Sequence, residues 1–157
     1  MILLPFQYYQ LLDCCRTYDL KMQLKFLFLT GVRYFEAVWV YNNPTCYKPQ
    51  LSLIYLPKRC TRLCATASEV AGYIVSGRCK KFPSTIGMDK NIISWCDKIG
   101  IETFGLKDIR ATTNVWLAIT YPNRELEIFE SQNIYTFPKY EFSVEEEKEI
   151  KKLMEGW

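Results

Sequence analysis

The chain predicts an α+β domain, mainly helical with one small antiparallel sheet, on three observations. Apolar residues recur at helical spacing along most of the 157 residues, with a cap or a breaker at most of the expected ends. One stretch, Cys46 to Leu56, departs from that period and alternates like a strand, Leu51, Leu53 and Tyr55 against Ser52 and Ile54. Hydrophobic residues make up 49% of the chain and charged residues 24%, which supplies apolar surface for one packed core and argues against disorder. Residues 1–157 are therefore read as a single domain.

The elements follow in order. Helical periodicity runs from Gln7 to Tyr18 and from Lys21 to Leu29, and Thr30-Gly31 is a stop from which a further helix, Arg33 to Val40, starts. Asn42-Asn43-Pro44 breaks that helix ahead of the extended segment, where Pro49 marks an edge or a turn. After Pro57 the helical pattern returns through about Val75, in one piece or two. A loop rich in Gly, Lys and Pro then covers Ser76 to Gly87. Asp89 is the expected N-cap of a helix from Lys90 to Ile99, closed by Gly100. Leu106 to Thr120 is helical up to the stop Tyr121-Pro122-Asn123, and a shorter helix covers Arg124 to Gln132. The last helix carries the best signal: Ser143 caps it, Glu146 completes a capping box, acidic residues fill its first turn and Lys151-Lys152 sit near its end.

Composition also excludes chemistry. With no histidine in the chain, Ser-His-Asp hydrolysis, Cys-His proteolysis and histidine-ligated metal hydrolysis are out of reach, so catalysis would fall to Arg, Lys, Tyr, Cys or carboxylates. Seven cysteines without a CxxC pair read as free or buried thiols rather than as a disulfide framework or a zinc site, although Cys60 and Cys64 could share a helical face. Lys25, Arg33 and Glu36 interrupt the most apolar stretch, Leu24 to Val40, so no membrane span is expected. Met1 to Pro5 lacks the features of a secretory signal, and a cytoplasmic protein is the expectation. A net charge of +3 permits a phosphate-binding face without demanding one.

Four segments concentrate residues suited to phosphate chemistry. In Thr30-Gly31-Val32-Arg33-Tyr34-Phe35-Glu36 an apolar helix stops and an arginine follows; taken alone, this is a helix end with Arg33 and Glu36 as an i,i+3 surface pair. Tyr47-Lys48-Pro49 opens the extended segment that ends in Tyr55-Leu56-Pro57. Lys107-Asp108-Ile109-Arg110 leads an apolar helix and puts Lys107 and Arg110 one turn apart on one face. Thr136-Phe137-Pro138-Lys139-Tyr140 precedes the final helix.

In this order the four segments, spanning Leu24 to Trp157, resemble the catalytic domain of tyrosine recombinases, of the integrase type found in archaeal viruses (fusellovirus-like) and plasmids. The resemblance implies a mainly helical catalytic domain with a small antiparallel sheet, and site-specific cleavage and rejoining of DNA through a 3′-phosphotyrosine, without metal, ATP or other cofactor. Arg33 and Arg110 would clamp the scissile phosphate, Lys48 would protonate the leaving oxygen, Lys107 would add a phosphate contact, and Tyr140 would be the nucleophile, with Tyr135 as the alternative. The implied partners are double-stranded DNA and further copies of the chain, as a tetramer on DNA, with no membrane. The chain departs from the family pattern in two places. The arm or core-binding domain that normally precedes the catalytic domain is not found, so a separate chain would have to supply it, and Gln132 stands where the family has a late His, Trp or Arg. Those departures keep a second expectation open, an inactive relative or split-integrase fragment that binds DNA without cutting it.

Overall fold

A helix that is apolar over most of its circumference packs into the core. The chain has one in Tyr18–Thr30 (α2), which buries Met22, Leu24 and every residue from Phe26 to Thr30. The computed structural model describes residues 1–125, 127–128 and 140–157 and arranges the other helices around this one. Pro5–Cys14 (α1) and Ser68–Val75 (α4) pack on α2, Tyr34–Asn42 (α3) follows it, and Thr85–Ile99 (α5) lies against α1. Leu106–Thr120 (α6) joins α2 to the final helix, Val144–Met154 (α7). Buried side-chain hydrogen bonds weld α6 in place: the Thr113 hydroxyl donates to the Phe28 carbonyl at 2.7 Å and the Trp116 indole to the Leu3 carbonyl at 3.1 Å. The result is an α+β fold dominated by helix.

The sheet has three short antiparallel strands in the order Tyr47–Lys48 (β1), Leu53–Tyr55 (β2) and Cys60–Arg62 (β3). Lys48 stands opposite Leu53, which in turn faces Arg62, and Tyr55 faces Cys60 at the tight end of the β2–β3 hairpin. The Leu56 amide donates to the Arg59 carbonyl at 2.7 Å and closes that turn.

Several boundaries differ from expectation, each for a local reason. The first helix begins at Pro5, whose missing N–H is harmless in a first turn, and ends at Cys14, because Thr17 instead caps α2 by accepting from the Leu20 amide at 3.1 Å. Residues 49–51 form a 3-10 turn between β1 and β2, and the parity of the strand is reversed: Ile54 is fully buried while Leu51 and Tyr55 are exposed. No helix follows Pro57. Pairing with β2 takes residues 60–62 into the sheet, so Cys60 and Cys64 share no helical face, and helix resumes only at Ser68 after a 3-10 turn over Ala65–Ala67. Ser84, not Asp89, caps α5, its hydroxyl accepting from the Gly87 amide at 3.1 Å.

Elsewhere the local signals and the structure coincide. Gly31 and Gly100 end α2 and α5 with φ of 67° and 76°, left-handed values that favour glycine. Leu106–Thr120 is helical from end to end, and α7 carries its capping box, with the Glu146 amide donating to Ser143 at 3.1 Å and the Ser143 amide to Glu146 at 2.8 Å. A 3-10 turn spans Pro122–Arg124; most of the short helix expected over 124–132 lies outside the described residues. Among the described residues no helix is long and apolar enough to cross a membrane.

Candidate functional site

The site is built on the turn between α2 and α3. Gly31 leaves α2 in the left-handed conformation, Val32 drops into the core, and Arg33 is left at the N-cap of α3 with its side chain half-exposed. Glu36 fixes this turn by accepting from the Arg33 backbone amide at 2.8 Å. Its side chain is therefore no surface partner of the Arg33 guanidinium. Glu36 is only 5% exposed, and its charge is met by Arg59 from the β2–β3 turn, which donates through Nε at 3.0 Å and through Nη2 at 2.7 Å. Such a two-pronged pair holds both planes in register.

Arg110 reaches the same turn from α6, although it does not line the cleft in front of that turn. It lies one turn into α6, and its Nε donates to the Gly31 carbonyl at 3.1 Å, so the second arginine is tied to the turn that presents the first. Burial, and then the neighbouring charges of Arg33 and Arg59, pushes its guanidinium down to about 10, with Glu36 acting the other way. The group stays protonated at neutral pH. Arg33, Arg59 and Arg110 thus lie near one turn, with the Glu36 carboxylate offsetting the charge of Arg59.

In front of the turn lies a cleft of about 220 Å³ lined by Arg33, Phe35, Glu36, Pro57, Lys58 and Arg59. Its walls are two loops of unrelated sequence, the α2–α3 turn and the β2–β3 hairpin. Compared with models of protein families, with curated proteins and with solved structures, the chain matches none. What the site can do therefore rests on its own geometry. The cleft carries Arg33 and the exposed Lys58 beside the Glu36–Arg59 pair, and a guanidinium with an ammonium nearby can hold a tetrahedral oxyanion such as a phosphodiester.

The other sequence-derived candidates are placed as follows. Lys107 is exposed in the first turn of α6 and does not line the cleft. Lys48 sits on β1 opposite Leu53, toward the far end of the sheet from the β2–β3 turn, and does not line the cleft either. Tyr140 is exposed and stacks on Phe142, ring centroids 6.2 Å apart, just ahead of α7. Tyr135 and Gln132 lie outside the described residues. All seven cysteines are free thiols.

Lys58 and Arg59 are the residues that sequence reasoning missed. The helix expected after Pro57 takes in both. The available signal was Pro57 followed by Cys60-Thr61-Arg62, whose alternation of outward, inward and outward side chains is that of a returning strand.

Proposed function

We propose that this chain is a site-specific recombinase of the tyrosine type, which cleaves and rejoins double-stranded DNA through a 3′-phosphotyrosine intermediate. The observation that carries the reading is the meeting of Arg33, Arg59 and Arg110 around the Gly31 turn, from three separate parts of the chain. A free phenol, with a pKa near ~10, attacks a phosphodiester well only when the charge of the phosphate is neutralised. Guanidiniums aimed at the phosphate supply that, each such donor being worth roughly 3–4 kcal/mol in a preorganised site.

In the reaction, the Tyr140 oxygen forms a bond to phosphorus as the bond to the 5′ oxygen breaks. The phenol proton leaves to solvent, and a lysine protonates the departing 5′ hydroxyl. Lys58, on the rim of the arginine cleft, is the lysine we assign to that step in place of Lys48; Lys107, on the exposed first turn of α6, adds a contact to a neighbouring phosphate. The phosphotyrosine bond conserves the energy of the phosphodiester, so rejoining reverses the same steps. Most of the affinity would come from the DNA backbone and weaken with salt. The reading extends to a tetramer assembled on paired DNA sites.

A second reading, a recombinase relative that grips DNA without cutting it, is favoured by one observation: Tyr140 stacks on Phe142 and does not line the arginine cleft. Incubation with a nicked suicide DNA substrate separates the two. The recombinase reading expects a covalent protein–DNA adduct on a denaturing gel that disappears in Tyr140→Phe. Salt-sensitive binding with no adduct would transfer the assignment to the non-cutting relative.

A further inference from the structure

Phe35 borders both the arginine cleft and a groove of about 310 Å³ formed with Tyr34, Val38, Phe82 and Pro83. The two hollows therefore share this residue, which is 61% exposed. The groove volume falls at the lower end of ligand pockets, roughly 300–1,000 Å³. Its floor is rigid: Phe82 is buried, its ring set edge-on against Tyr41 at 4.5 Å and against Tyr34 at 5.4 Å. The Tyr34 hydroxyl donates to the Pro83 carbonyl at 2.7 Å and ties the two walls together.

We infer that this groove holds an unstacked nucleobase, whose flanking phosphate lies in the arginine cleft that shares Phe35; the inference rests on the phosphate-binding reading given above. An aromatic platform beside guanidiniums matches the two halves of a nucleotide, since every base has a π face and every linkage a negative charge. Charge gives the orientation. The cleft side carries Arg33 and Lys58 beside the Glu36–Arg59 pair, whereas none of the residues lining the groove is charged, so the phosphate belongs to the cleft and the base to the groove. The substrate class is then DNA with a base out of the stack, as at a nick, a frayed end or a single strand.

Oligonucleotides carrying one internal 2-aminopurine, as single strand and as blunt duplex, test this with wild-type protein and with Phe35→Ala and Phe35→Trp. Because Phe35 is exposed, neither change should disturb folding, and a thermal melt of each variant checks it. The wild type should alter the fluorescence of the single strand and bind both forms in a salt-sensitive way. Phe35→Ala should lower the ratio of single-strand to duplex affinity roughly tenfold, the order expected for one lost stacking contact, and Phe35→Trp should restore it. Salt-sensitive binding with that ratio unmoved by Phe35→Ala would overturn the base groove and leave the phosphate reading standing. Absence of salt-sensitive binding to either form would overturn both. A wild-type chain dimeric by light scattering, monomeric as Phe35→Ala and silent toward 2-aminopurine would give the groove to a second copy and overturn the proposal.

Discussion

At the scale of single residues, the buried carboxylate of Glu36 organises the site. It satisfies the Arg33 amide and both prongs of Arg59, so its removal exposes a partly buried guanidinium to its like-charged neighbours. Breaking a buried pair by deleting one partner costs about 3–5 kcal/mol. Glu36→Ala is expected to lower stability by about that amount in urea unfolding and to weaken DNA binding through disorder of Arg59, although the site gains net positive charge. Tighter DNA binding by this variant would mean that Glu36 only opposes the phosphate. Arg33 and Arg110 were legible as candidates because a glycine stop and a helix start fixed their positions locally. Arg59 was not, since its role depends on a hairpin formed by pairing between strands, and the short apolar spacing after Pro57 fits a helix equally well. Ile54 shows the same limit. The alternation of its strand is plain, but which parity faces inward is set by tertiary packing, which buries Ile54 completely.

At the scale of elements, local signals held where they were self-contained. Helix α7 has its cap, its acidic first turn and its basic end within a dozen positions, and it forms as those signals indicate. Its attachment is not local: the Ala65 amide donates to the Glu155 carbonyl at 2.8 Å and the Thr66 hydroxyl to the Leu153 carbonyl at 2.7 Å, so α7 is fastened to the segment that leaves the sheet. Ser143→Ala should cost about 1 kcal/mol, the usual worth of an N-cap, read as a lower urea midpoint with an unchanged slope. A loss below a few tenths would show that packing on α6 alone holds the helix. Because Tyr140 and Phe142 lead directly into α7, the same variant should slow adduct formation more than it weakens DNA binding.

At the scale of the whole molecule, the absence of histidine and the burial of several thiols set the pH response. Burial pushes the thiols of Cys15 and Cys64 up to about 12 and that of Cys46 up to about 11. An unfolded cysteine titrates near ~8.5, so above that pH the unfolded chain releases protons that the folded chain retains. The stability contributed by these neutral thiols is complete below about pH 8.5 and is lost progressively as the pH climbs toward the folded values. The melting temperature should therefore be level between about pH 6 and 7.5, where histidine would otherwise titrate, and fall steadily at alkaline pH. A melting temperature that rises with alkalinity would contradict the burial of these groups.

The turn after α2, the β2–β3 hairpin and the first turns of α6 meet around Gly31 and Glu36; on the recombinase proposal they would act on one phosphate, with Tyr140 from the lead into α7 as the nucleophile. The most direct test is single-turnover cleavage of a nicked suicide substrate by wild type, Arg33→Ala, Arg110→Ala and the exposed Arg16→Ala, with the DNA-linked peptide identified by mass spectrometry. The account predicts DNA on the peptide containing Tyr140, a loss of roughly 10²–10³ in rate for Arg33→Ala and Arg110→Ala, as for removal of a transition-state donor, and wild-type cleavage by Arg16→Ala. No adduct from the wild-type protein, or cleavage undiminished without Arg33 or Arg110, would contradict it.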